Sequence, residues 1–235
     1  ILDTRNAADF SKGFVPQSIN IGISGDFAPW VGALIANVNQ PIVLVTDIGK
    51  EEETVTRLSR VGFDAVLGHL KGGFEAWKSA GFDVDTVHRI TAVQFENEVK
   101  IGESKIIDIR KEIEYEAEHI EDAYSKPLAY INDWVKDINP NEHFFMHCAG
   151  GYRSMIAASI LQARGYRNFS EIEGGFNAIA KTMRLLASGQ NDSEIFGLGR
   201  KDEIGGMAET VAIFRDMQID QARLEADALA QRSLA

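Results

Sequence analysis

Residues 147–154 read His-Cys-Ala-Gly-Gly-Tyr-Arg-Ser, and Cys148 is the only cysteine in the chain. Two adjacent glycines between a buried strand and a helix let successive backbone N–H groups converge on one point, where the helix N-terminus adds partial positive charge. Such a loop is an anion cradle. A cysteine at its start is expected to have a lowered pKa, because those dipoles and the permanently charged Arg153 stabilise the thiolate. The thiolate is the nucleophilic form, so covalent chemistry on one sulfur atom is the expectation. The opposing reading makes Cys148 a small buried hydrophobe, and the Gly150-Gly151 and Arg153 context weighs against it. The expected site is therefore Cys148 with Arg153 as the catalytic pair, and Ala149, Gly150, Gly151, Tyr152 and Ser154 as the substrate-binding loop.

Other chemistry-bearing residues carry less. His147 precedes the cysteine, but a neighbour in a strand points to the opposite face, so a core or interface role is expected of it. His69, His88, His119 and His143 lack metal-ligand spacing, and a lone cysteine all but excludes a thiolate zinc site and rules out an intrachain disulfide. No metal and no cofactor is expected. Asp108 and Arg110 stand at a strand end, where local bonding that fixes the fold is the expectation. Glu112, Glu114, Glu116 and Glu118 alternate in a turn-rich stretch and read as a solvated face. Trp30, Trp77 and Trp134 read as packing residues, and Tyr152 as a residue shaping the pocket mouth.

The elements that position this loop follow from periodicity. Residues 105–109 form a short apolar strand, residues 143–147 a buried strand, and residues 154–164 a helix with Ile156, Ile160 and Leu161 on one face, stopped by Gly165. The pattern recurs upstream. Ile1-Leu2-Asp3-Thr4-Arg5 answers Ile106-Ile107-Asp108-Ile109-Arg110, Gly62-Phe63 answers Gly165-Tyr166, and Gly72-Gly73-Phe74 answers Gly174-Gly175-Phe176. In the first copy residues 42–45 are the strand and 52–60 the helix. Residues 83–90 read as the connector, and 91–103 as a lead-in to the second copy. Strands alternating with helices predict an α/β protein of two units, each a parallel sheet flanked by helices.

Composition sets the partners. The 235 residues are 45% hydrophobic and 25% charged, the range of a globular protein. The 35 acidic against 24 basic residues give a net charge of −11, which disfavours nucleic acid or an anionic membrane. No apolar run approaches the ~20 residues of a membrane span, and residues 1–5 are no signal peptide, so a cytoplasmic setting is expected. Because the chain starts inside its first strand, it is expected to be cut from something longer.

With these residues in view, the second unit resembles a rhodanese, or sulfurtransferase, domain. Asp108-Ile109-Arg110, then Glu118-His119-Ile120-Glu121-Asp122-Ala123 in place of the family's Gly-His-Ile-Pro-Gly-Ala, the six-residue loop from Cys148 to Arg153, and Glu173-Gly174-Gly175-Phe176 carry the resemblance. Ile179 stands where the family has a trailing Trp. The resemblance implies transfer of sulfane sulfur from thiosulfate or a persulfide to a thiol or cyanide-like acceptor through a Cys148 persulfide, with Arg153 and the loop amides holding the anionic donor. Four residues between Cys148 and Arg153, against five in the phosphatase ring, favour sulfur over phosphate. The first unit is similar, through Asp3-Thr4-Arg5, Gly13-Phe14-Val15-Pro16-Gln17-Ser18 and Gly72-Gly73-Phe74-Glu75-Ala76-Trp77, but its loop runs Thr46-Asp47-Ile48-Gly49-Lys50-Glu51-Glu52-Glu53 without a cysteine. Carboxylates there would repel an anion, so an inactive copy is expected over a carboxylate-based site.

The expected organisation is a degenerate, N-terminally truncated domain at 1–84, an active domain at 91–183 and a helical tail at 184–235. An inactive unit followed by an active one is similar to the C-terminal part of fusions with a metallo-β-lactamase-like persulfide dioxygenase, which makes such an upstream domain a candidate partner. No His-x-His-x-Asp-His zinc motif occurs in the chain itself. The tail, through Gly199-Arg200-Lys201-Asp202-Glu203-Ile204-Gly205 and the 3-4-3 spacing of Ile204, Met207, Val211 and Phe214, resembles half of a HAMP signalling module. Alternatively it is an amphipathic helix that packs on the domain surface or pairs with a second chain as a homodimer. An alternative function is then a persulfide sensor or carrier without turnover, its state relayed by the tail.

Overall fold

The computed structural model describes residues 1–100 and 102–187. The tail at 184–235, with its HAMP resemblance, lies outside the described residues beyond Ala187.

The first unit runs β1 (Leu2–Asp3), α1 (Ala7–Lys12), β2 (Ile19–Asn20), α2 (Phe27–Leu34), β3 (Ile42–Val45), α3 (Glu51–Ser59), β4 (Val66–His69) and α4 (Gly73–Ser79). The second runs β5 (Arg89–Ile90), α5 (Ala92–Glu98), β6 (Lys105–Asp108), α6 (Glu112–Ala117), β7 (Tyr124–Ser125), α7 (Ile131–Trp134), β8 (Phe144–His147), α8 (Tyr152–Ala163), β9 (Phe169–Ile172) and α9 (Gly175–Ala187). The sheets are β2-β1-β3-β4 and β5-β9-β8-β6-β7. Every strand pair within them is parallel, as strands joined through helices must be. The second sheet repeats the first in the order β7-β6-β8-β9 and adds β5 beside β9. That strand differs from the expectation that residues 83–90 only connect. Asp85 and Val87 bond back to Phe14 and Ser11 of the first unit, and the next residues, Arg89 and Ile90, pair with Glu171 and Ile172.

Local sequence explains the helix starts. The Asn6 side chain accepts from the Asp9 N–H at the head of α1, and Thr91 and Gln94 form a reciprocal capping box on α5. Thr-x-x-Gln is the sequence signature of that cap. The buried strand predicted at 143–147 is β8, whose four residues are all buried.

One helix departs from its expected environment. Apolar residues on one face predicted that α8 would leave the other in water, yet Ser154, Met155, Ile156, Ala157, Ala158, Ser159, Ile160 and Leu161 are all buried. The reason is the first unit. The Asn20 N–H donates to Ser159 Oγ at 2.9 Å, and α1 and β2 lie against α8. A helix covered on both sides is buried all round, and alanines and serines on its second face permit the close approach. One core cluster accordingly joins Leu2, Phe10, Phe27 and Leu44 of the first unit to Ile107, Met146, Cys148, Ile156 and Leu161 of the second.

Candidate active site

Strand β8 ends at His147, and the chain turns through Cys148, Ala149 and Gly150 to Gly151, the N-cap of α8. Gly151 has φ 98°, a left-handed conformation that a side chain would strain. The turn brings its N–H onto Cys148 Sγ at 3.1 Å. Gly175 supports the loop from below, and a Cβ there would overlap the Cys148 carbonyl oxygen. That oxygen instead accepts from the Phe176 N–H at 2.8 Å, and Ala149 O accepts from Asn177 N at 3.0 Å. The late Gly-Gly-Phe motif is therefore the floor on which the cysteine loop rests.

Cys148 is 1% exposed, and its sulfur meets polar atoms as well as hydrocarbon. Ser154 Oγ lies 3.4 Å from Sγ and donates to Glu171 Oε1 at 2.5 Å. Ser154 thus links the sulfur to Glu171, and either Sγ or Oγ can donate in the bond between them. Glu171 is wholly buried, its second oxygen bound by Arg89 Nε at 2.6 Å. Burial pushes its carboxyl up, while Arg89 and Ser154 pull the other way. Sequence reasoning missed both Glu171 and Arg89. A glutamate flanked by Phe169 and Ile172 just ahead of the Gly-Gly motif was the available signal.

The loop's other residues are tied elsewhere. Arg153 turns onto Glu114, with Nη1 at 2.6 Å and Nη2 at 2.8 Å from its two oxygens. Glu114 was expected on a solvated face. Instead α6 aims it at the loop, and the hydrogen bond from Arg153 holds its carboxyl at about 2. Its oxygen also accepts from the Lys111 N–H, so it caps α6 as well. Tyr152 reaches the first unit, where its hydroxyl donates to Gly22 O at 2.8 Å and its ring fills the space a side chain at Gly25 would need. Of the predicted residues, Cys148, Gly151 and Ser154 meet at the sulfur. Ala149 and Gly150 lie beside Asn177 of α9, and Arg153 and Tyr152 brace the loop from outside.

The residues flanking β6 act as predicted for a strand end. Arg110 binds Asp108 through its backbone and guanidinium, donates to Glu118 O at 2.6 Å, and stacks on Phe176 with Cζ 4.1 Å from the ring centre. The first unit repeats this cassette with Arg5, Asp3, Gly13 O and Phe74. His147 is fully buried, its Nε2 3.9 Å from Asp108, and burial pushes its imidazole down, so it is held neutral.

The first unit's equivalent loop lacks a cysteine. In the registers Asp3 beside Val45 and Asp108 beside His147, Thr46 occupies the place of Cys148, and Gly73 approaches the Thr46 carbonyl as Gly175 approaches that of Cys148. A cleft of about 450 Å³ remains there, with Asp9, Asp47 and Glu75 among its walls. Glu51, Glu52 and Glu53 occupy the first turn of α3 where the second unit has Arg153 and Ser154.

Comparison with known proteins gives the family. The Rhodanese-like domain family matches residues 1–80 and 91–182. The rhodanese-like/PpiC domain-containing protein 12 of Arabidopsis thaliana is 32% identical over 89 residues, 36% of this chain and 30% of that protein. The tRNA uridine(34) hydroxylase of Wigglesworthia glossinidia brevipalpis is 28% identical over 105 residues, 42% of this chain and 33% of that one. The chain thus spans about a third of the length of these curated relatives. Among solved structures, a rhodanese-like domain protein from Staphylococcus aureus is 31% identical and covers 40% of this chain and 91% of its own, with a TM-score of 0.37. Two family matches over most of the chain, together with the duplicated parallel sheets, place it: the protein belongs to the Rhodanese-like domain family.

Proposed function

We propose that this chain is a sulfurtransferase that carries sulfane sulfur as a persulfide on Cys148. Family membership supports sulfur-transfer chemistry in general, and the observation that carries the specific reading is the Gly151 N–H aimed at Sγ from 3.1 Å at the head of α8. An N–H and a helix N-terminus favour negative charge on that sulfur. The Cys148 thiolate attacks the outer sulfur of the donor. A new S–S bond forms as the donor's breaks, and the leaving group, sulfite from thiosulfate or a thiolate from a persulfide, departs with the electron pair. An acceptor thiolate or cyanide then attacks the outer sulfur of Cys148 and restores the thiolate, a ping-pong cycle. The acidic chain with a single thiol suits a reducing cytoplasm.

The test is intact mass after incubation with donor. One added sulfur on Cys148, released to cyanide or a thiol, supports the enzyme, and Cys148→Ser removes both. A second reading, a carrier or sensor without turnover, is favoured by the near-complete burial of Cys148. Loading without release decides for it.

A further inference from the structure

Resting on that reading, the charges around the loop select among donors. Three guanidiniums of the second unit border it, and each is already matched. Arg153 gives both terminal nitrogens to Glu114. Arg89, whose Nη2 lies 3.5 Å from where a Gly151 side chain would begin, binds Glu171 at 2.6 Å and Glu173 at 3.4 Å. Arg110 is bound to Asp108 at 2.7 Å. Four carboxyl groups, those of Glu114, Glu171, Glu173 and Asp108, therefore face these three cations. Among the described residues, each of these three guanidiniums that a dianion would meet here is already paired with a carboxylate. To pair with the Arg153 guanidinium it must compete with Glu114, which holds both terminal nitrogens, and a displaced Glu114 carboxylate is left beside it. A neutral or singly charged persulfide meets no such cost, and one N–H at Sγ is sufficient for the single negative charge its transfer creates.

We propose that Glu114, acting through Arg153, makes the loop select neutral or singly charged persulfides over the thiosulfate dianion as sulfur donors. The transfer balances: the Cys148 thiolate and R–S–SH give Cys148–S–SH and R–S⁻, the donor S–S bond breaking as the new one forms. Glu114 is a positioning residue, since it meets the donor only through Arg153. Glu114→Gln retains an oxygen for the Lys111 N–H while removing the charge.

The experiment follows loading of Cys148 in the intact chain by mass spectrometry, with rate against donor concentration, from the thiosulfate dianion and from cysteine persulfide, whose ammonium and carboxylate cancel so that it is neutral or singly charged. Wild type is expected to load from the persulfide with the higher kcat/KM. Glu114→Gln is expected to narrow the ratio by about tenfold, through a lower thiosulfate KM rather than a higher kcat, the scale of one freed ion-pair partner. Wild type gives an independent reading should the variant fail to fold. Raising salt from about 0.05 to 0.5 M screens like-charge repulsion, so thiosulfate loading accelerates while loading from the persulfide stays nearly flat. Equal use of both donors, an unchanged ratio in Glu114→Gln, or thiosulfate loading that slows with salt overturns the selectivity and leaves the sulfurtransferase standing. Failure of both donors to load Cys148 removes both.

Discussion

At position 175 a methyl group has nowhere to go. The backbone there is left-handed, at φ 55°, and a Cβ would run into the Cys148 carbonyl. Gly175→Ala is expected to cost about 2–4 kcal/mol, from backbone strain and overpacking together. It should also displace the loop, so urea denaturation should show the loss and sulfur loading should fall with it. The glycine pair and the Cys148–Arg153 loop were legible in the sequence because each imposes a backbone requirement that few residue types satisfy. Glu171 and Arg89 were not. They lie 82 residues apart, and their pairing follows from β5 joining β9, a register that no local pattern announces. Backbone demands also outlast their usual residues. Gln17 and Asp122 are the non-glycine residues with positive φ among those described, and they occupy equivalent places in the two units, at Asp122 where the family's pattern has glycine.

Helix α6 and the loop it faces are joined by one ion pair, and its pH behaviour is fixed by sign. The Glu114 carboxyl is depressed to about 2 from 4.5, so the stabilisation is complete above 4.5 and disappears as pH falls through about 2. Glu114→Gln is expected to cost about 1 kcal/mol at pH 7, the size of a partly exposed pair. Denaturation midpoints of variant and wild type should converge as pH drops from 4.5 toward 2. A gap that persists in acid points to packing rather than charge. Of the alternating glutamates at 112–118, Glu112, Glu116 and Glu118 are exposed as a solvated face requires, but α6 has only six residues, too few for a period to show that Glu114 turns inward. Helix α8 shows the complementary limit: its periodicity was readable, but burial of its second face depends on a unit 130 residues upstream in the Tyr152–Gly22 contact.

The described residues are two copies of one cassette pressed together at α8. Shared sequence made the duplication visible, down to the Asp-Arg-Phe cluster beneath each loop, whereas the interface between copies is built from unlike residues and left no repeat to read. Ser159 holds the Asn20 N–H across it, so Ser159→Ala strands a buried donor at an expected cost of about 1–3 kcal/mol. Because one core runs through both units, wild type should unfold in a single urea transition, with tryptophan fluorescence and far-ultraviolet circular dichroism coincident. Two separated transitions contradict a shared core. The central claim, that Cys148 carries transferable sulfur, is tested most directly by the intact mass of the protein after exposure to glutathione persulfide. The account predicts one added sulfur atom that maps to Cys148, leaves on addition of thiol and is missing in Cys148→Ser. An unchanged wild-type mass, or the same added sulfur in Cys148→Ser, contradicts it.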